Sequence, residues 1–84
     1  MKFDYRRLKG RIKEMHGTQN EFAEAVGLSF VSISKKLNNL RQFKQSDIDK
    51  ITEVLNIPKE EIPIYFFTLE VLENEQNERM RKHE

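Results

Sequence analysis

Residues 18–38, TQNEFAEAVGLSFVSISKKLN, contain the signals for two short helices joined by a tight turn. Thr18 stands at an N-cap position and Glu21 follows three residues later, which is the spacing of a reciprocal capping box. Gly27 supplies a left-handed residue that ends a helix without a Cβ penalty. Ser29 is placed to cap the second helix. Two helices separated by a three-residue turn with a glycine are typical of a helix-turn-helix unit.

The apolar residues of this stretch recur at helical spacing on one side of each helix. The inward set is Phe22, Ala23, Val26, Leu28, Ile33 and Leu37. The outward side of the second helix is left with Phe30, Val31, Ser34 and Lys35. Because the inward side is already filled, we expect Phe30 and Val31 to lie at the surface. The alternatives for these two side chains are positions at the edge of the core, or surface positions that contact a protein partner.

The composition describes one small domain of 84 residues, with a charged fraction of 35% and no cysteine. The absence of cysteine excludes disulfides and thiolate metal sites, and two histidines far apart in sequence do not suggest a metal site. No apolar run reaches the length of a membrane span, and no secretory signal opens the chain. We therefore expect a location in the cytoplasm, with no cofactor and no small-molecule ligand.

Charge is distributed unevenly along the chain. Residues 1–50 contain eleven Lys/Arg and six Asp/Glu, whereas residues 51–84 contain four and eight. The basic half includes the two-helix stretch, which favours a polyanionic partner. The alternative is a chance difference in a short chain. The sequence contains no pattern of catalytic residues, so we do not expect an enzyme.

Further helices are predicted on both sides of the two-helix stretch. A first helix at 5–15 is expected to be capped by Asp4. A fourth helix is expected to be capped by Ser46, after a loop anchored by Leu40 and Phe43. A short fifth helix is expected to begin at Pro58 and to stop at Pro63.

Residues 64–72 are aromatic and β-branched, which predicts a strand or an extended arm. An unpaired strand leaves backbone groups unsatisfied, so we expect pairing with the same segment of a second chain. The residues proposed for this dimer contact are Tyr65, Phe66, Phe67 and Leu69. The competing interpretation is that these aromatics fold back onto their own core. The predicted organisation is a DNA-binding domain at 1–63, this arm at 64–72, and a charged, disordered tail at 73–84.

Residues 5–62 resemble the lambda-repressor/Cro superfamily of small helical DNA-binding domains. The stretches that carry the narrower resemblance, to short phage proteins labelled Cro repressors, are LKGRIK at 8–13, GTQ at 17–19, FA at 22–23, VGLS at 26–29, SKKLNN at 34–39 and YFF at 65–67. The resemblance implies an all-α, compact five-helix fold whose third helix enters the major groove.

The resemblance also assigns roles to residues. Those placed for reading bases are Phe30, Val31, Ser34 and Lys35. Those placed for the DNA backbone are Gln19, Ser32, Lys36, Asn38, Arg41 and Lys44. Phe30 and Val31 stand where many relatives carry a polar residue, so contact with thymine methyl groups replaces hydrogen bonding to adenine.

The sequence therefore predicts a transcriptional repressor of Cro type that binds a two-fold symmetric, double-stranded DNA operator as a homodimer. The alternative is a protein-interaction module on the same fold, an antirepressor or adaptor that binds protein through Phe30 and Val31.

Overall fold

Five α-helices surround one apolar core in the computed structural model, which describes residues 2–70. The helices are α1 (Arg6–His16), α2 (Gln19–Val26), α3 (Phe30–Leu37), α4 (Gln45–Val54) and α5 (Ile62–Phe66), with a 3₁₀ turn at Lys59–Glu61. Over the described residues the all-α prediction is confirmed. The β-structure in this part of the chain is one isolated antiparallel bridge between Phe3 and Leu69.

The bounds of α2 and α3 follow from local capping. The Thr18 hydroxyl accepts a hydrogen bond from the Glu21 N–H at 3.1 Å, and the Ser29 hydroxyl accepts one from the Ser32 N–H at 3.1 Å. Gly27 ends α2 in the left-handed conformation, with φ 82°. The capping box is only half formed, because the Thr18 N–H donates to the His16 carbonyl oxygen at 2.9 Å.

The α1 helix begins one residue later than predicted, at Arg6. Asp4 still satisfies its start, because Asp4 Oδ1 accepts from the Arg6 N–H at 2.9 Å. The Arg6 guanidinium bonds the same carboxylate and lowers the pKa of Asp4 to about 2. Farther along α1, Arg11 donates to the Leu55 carbonyl oxygen at 2.8 Å and so places a cation at the C-terminal end of α4.

The start of α4 differs from the prediction that Ser46 caps it. The N-cap residue is Lys44, whose backbone N–H donates to Asp47 Oδ2 at 2.8 Å. Ser46 lies inside the first turn, so its hydroxyl is not the cap. The acceptor is therefore a carboxylate from within the helix. Its negative charge also interacts favourably with the positive, N-terminal end of the helix dipole.

In the C-terminal segment, α5 takes the place of the start of the predicted strand, and the chain does not leave the helix at Pro63 as predicted. Pro63 lies in the first turn of α5, where its missing N–H is not needed for helical bonding. The helix then carries Phe66 into the core, where only 2% of its surface is exposed. The ring of Phe66 meets that of Phe43 edge-on at 5.3 Å. The competing interpretation, that the aromatics cover their own core, is thus observed for Phe66.

Only the end of the predicted arm is extended. The Asp4 N–H donates to the Thr68 carbonyl oxygen at 2.7 Å, and the Glu70 N–H donates to the Lys2 carbonyl oxygen at 2.9 Å. These two bonds tie the end of the described chain to its beginning. The remainder of the arm, residues 71–72, and the predicted disordered tail, 73–84, lie outside the described residues.

The burial of Phe66 predicts a large difference between two neighbouring phenylalanines. Phe66→Ala is expected to lower the free energy of unfolding by about 3 kcal/mol or more, because it removes a buried aromatic side chain and leaves a cavity. Phe67→Ala, at a position 52% exposed, is expected to cost under about 1 kcal/mol. Urea unfolding followed by circular dichroism measures both. Equal losses would contradict the placement of these residues.

Candidate interaction surface

The outer side of α3 presents two apolar residues in its first turn. Phe30 is 48% exposed and Val31 is 59% exposed, while Ile33 and Leu37 of the same helix are buried. Helical geometry separates these two sets, as the sequence predicted. Adjacent large apolar side chains at this exposure favour a contact surface for another molecule.

Several polar residues predicted for the same surface lie on α2 and α3. Gln19, Ser32, Ser34 and Lys35 are each half-buried on α2 and α3. Asn38 follows α3, and its Nδ2 donates to the Ser34 carbonyl oxygen at 2.8 Å. Part of the hydrogen-bonding capacity of Asn38 is thus used to close the last turn of α3.

Lys36 is buried, so its ammonium group is not available for the contact with the DNA backbone that the resemblance implies. It is 6% exposed, and its Nζ lies 2.5 Å from Oδ2 of Asp47, which is 5% exposed. Burial alone raises the pKa of Asp47, but the Lys36 ammonium and the Lys44 N–H together hold it below its ordinary value. The expected backbone-contact role of Lys36 is therefore corrected: this lysine joins α3 to α4 inside the protein.

The loop between α3 and α4 carries the remaining basic residues predicted for the site. Arg41 and Lys44 are both exposed. Leu40 was expected to anchor the loop but is 72% exposed, whereas Phe43 is half-buried against the core. The loop is therefore held by Phe43, and Leu40 faces solvent.

A groove of about 410 Å³ lies beside this loop. Its walls come from the N-terminal segment, the loop and the end of α5. The lining includes Phe3, Leu40, Arg41, Phe43 and Phe67. Among the described residues that line the groove, Arg41 is the only charged one, and it lies beside apolar side chains.

The four residues predicted for dimerisation are dispersed by the structure. Phe66 is buried and Tyr65 is half-buried against the core. Phe67 and Leu69 are 52% and 47% exposed. Because Tyr65 and Phe66 lie in a helix, the predicted pairing of one continuous strand from 64 is wrong for this part of the arm.

Within residues 2–70, no group of three His, Asp or Glu side chains is arranged to hold a metal ion. No helix in the same part of the chain is both long enough and apolar enough to cross a membrane.

Residues 1–69 match the family described as "Protein of unknown function (DUF739)". The chain belongs to the DUF739 family. Among curated proteins, none matches this DUF739 chain.

A solved structure is similar to this DUF739 protein over most of its length. It is the solution structure of the modulator of repression (MOR) of the temperate bacteriophage TP901-1 from Lactococcus lactis. The two chains share 43% sequence identity with a TM-score of 0.72, and the match covers 86% of this chain and 97% of that chain. The protein is thus similar in sequence and fold to a phage regulatory protein.

Sequence reasoning missed the true positions of Lys36 and Leu40. Nothing near Lys36 marks it as buried, because its partner Asp47 lies eleven residues away across a loop. For Leu40 a signal exists in Ser34 and Lys35, which are polar at the positions where a helix that ends in a left-handed residue normally packs the next apolar side chain.

Proposed function

We propose that this protein is a phage-type modulator of repression that acts by binding a repressor protein, and that the exposed start of α3 is its contact surface. The observation that carries the proposal is the pair Phe30 and Val31, roughly half exposed side by side. The similarity to the TP901-1 modulator of repression supports a partner in the repression machinery.

The charge pattern supports a protein partner over a phosphate backbone. With Lys36 withdrawn into its pair with Asp47, the basic surround of α3 is smaller than the sequence suggests. A few side chains that are fully desolvated near the centre of an interface carry most of the binding energy in protein–protein complexes. A repressor bound in this way changes the occupancy of its operator without any catalytic step.

The test is a mobility-shift assay with the repressor of the same phage and its operator DNA. Addition of this protein is expected to change the amount of repressor–operator complex at constant repressor concentration. The protein alone is expected to leave operator DNA unshifted at physiological salt. An unchanged repressor–operator complex at saturating concentrations of this protein would reject the proposal.

DNA binding is the second candidate, and the exposure of Arg41 and Lys44 beside α3 favours it. Under this candidate the protein is a Cro-like repressor, and two copies bind a two-fold symmetric operator. Phe30 and Val31 contact thymine methyl groups, while Gln19 and Asn38 contact the backbone.

The second candidate predicts a specific salt effect at Lys44. Lys44→Ala is expected to weaken DNA binding across all sequences and to reduce the slope of log affinity against log salt by roughly one. Fluorescence anisotropy with a labelled operator duplex measures this slope. Glu53→Ala, at an exposed position on α4, is the control. A slope that is the same in Lys44→Ala and wild type would remove Lys44 from the interface.

A further inference from the structure

We infer that the groove beside the α3–α4 loop is a second docking site for the repressor, and that it receives an apolar side chain with a neighbouring carboxylate. The inference rests on the proposed function and extends it from the start of α3 to the loop that follows α3. Leu40 and Arg41 are the residues that make the contact.

Two helix ends in this protein, those of α3 and α4, have the same backbone hydrogen-bonding pattern. After α3, the Leu40 N–H donates to the Lys35 carbonyl oxygen at 2.8 Å, and Asn39 is left-handed at φ 61°. After α4, the Ile57 N–H donates to the Thr52 carbonyl oxygen at 2.9 Å, and Asn56 is left-handed at φ 54°. Both ends are Schellman motifs, in which the residue after the left-handed position normally makes a hydrophobic contact with the helix.

The two motifs differ in what happens to that apolar residue. Ile57 is 7% exposed and packs in the core, whereas Leu40 is 72% exposed. The contact of Leu40 with its own helix is missing because the residues that face it, Ser34 and Lys35, are polar. Leu40 is therefore held in a defined backbone position, and among the described residues its side chain has little packing, which suits a contact with another molecule.

The groove next to Leu40 is held open by specific bonds. Asn39 Oδ1 accepts from the Phe3 N–H at 2.9 Å, and Asn39 Nδ2 donates to the Phe3 carbonyl oxygen at 3.0 Å. These bonds attach the loop to the N-terminal segment, and the Phe3 ring contacts the Phe67 ring edge-on at 6.1 Å. Because the groove is already formed, little conformational entropy is lost when a ligand binds to it.

Charge and continuity identify the occupant. Arg41 is exposed and is the only charged residue among the described residues that line the groove, so an acidic group beside the bound apolar side chain is favoured over a basic one. The groove also follows directly from α3, whose first turn carries Phe30 and Val31. A repressor that covers α3 from its first turn to its C-terminal end reaches Leu40 as well.

The experiment is titration calorimetry of the full chain with the repressor of the same phage. Leu40→Ser and Arg41→Glu are each expected to weaken binding about tenfold, the loss typical of an interface residue that matters. The loss in Arg41→Glu is expected to shrink in 1 M salt. The matched controls are Met15→Ser, an apolar residue exposed to 41% on α1, and Lys59→Glu, an exposed lysine on the 3₁₀ turn. Both controls are expected to bind like wild type.

The outcomes separate the groove from the proposed function. Wild-type binding that is lost in Phe30→Ser but unchanged in Leu40→Ser and Arg41→Glu overturns the groove and leaves the modulator function intact. Absence of any binding to wild type overturns both. If Leu40→Ser instead lowers the sedimentation mass of the protein alone, the occupant is a second copy of this chain and the inference is wrong.

Discussion

Phe30→Ser and Val31→Ser introduced together are expected to weaken binding to the repressor by about a hundredfold or more. Central apolar anchors cost roughly 2 kcal/mol or more each when truncated, and 1.4 kcal/mol corresponds to a factor of ten. Both residues are about half exposed, so the free protein loses little packing. Titration calorimetry measures the affinity, and the change in repressor–operator complex is expected to disappear in the same variant.

The first control tests whether the double variant is still folded. Exposed substitutions away from special features change stability by about 0.5 kcal/mol or less, so the urea midpoint of the double variant should stay close to that of wild type. Met15→Ser, at 41% exposure on α1, tests whether loss of any exposed apolar residue has the same effect. Wild-type affinity in the double variant would place the repressor contact elsewhere.

Lys36→Met is expected to lower the free energy of unfolding by about 3 kcal/mol, because removal of one partner of a buried pair leaves the other charge uncompensated. The stranded group is Asp47, which is 5% exposed. The double variant Lys36→Met/Asp47→Asn is expected to recover much of this loss, since asparagine keeps an acceptor for the Lys44 N–H and carries no charge.

The neighbouring lysine supplies the control for this pair. Lys35 is half-buried on α3 and makes no ion pair within the described residues. Lys35→Met is therefore expected to change stability by about 0.5 kcal/mol or less. Equal losses in Lys35→Met and Lys36→Met would mean that the ion pair does not stabilise the connection between α3 and α4.

The same pair gives stability a pH dependence of known sign. The pKa of Asp47 in the folded protein lies below its ordinary value of 3.8, so the folded state binds this proton less readily than the unfolded state does. Its contribution is present above pH 3.8 and is lost as the pH falls below that value. Asp47→Asn is expected to remove this part of the acid sensitivity, which urea titrations at pH 3 and pH 6 measure.

Signals carried by neighbouring residues predicted α2 and α3 well. The bounds of α2 and α3 depend on Thr18, Gly27 and Ser29, and each acts on backbone groups within three or four residues of itself. The exposure of Phe30 and Val31 also followed from the sequence, because a helix with Ile33 and Leu37 inward must turn the remaining positions outward.

Predictions that depended on distant contacts failed. Phe66 has the β propensity of an aromatic residue, but packing against Phe43 places it in a helix. Propensity amounts to a fraction of 1 kcal/mol per residue, whereas burial of an aromatic ring is worth roughly 2 kcal/mol or more. Tertiary packing therefore overrides the local preference in α5.

By itself, the sequence determined a capped two-helix unit whose second helix presents an apolar pair, since caps and helical periodicity act over a few residues. Only the tertiary structure decided that Lys36 belongs to the interior and that Leu40 belongs to the surface. Both outcomes depend on how α3 meets α4. The Asp47 carboxylate draws the Lys36 ammonium inward, while the polar residues of α3 near Leu40 leave that side chain in solvent.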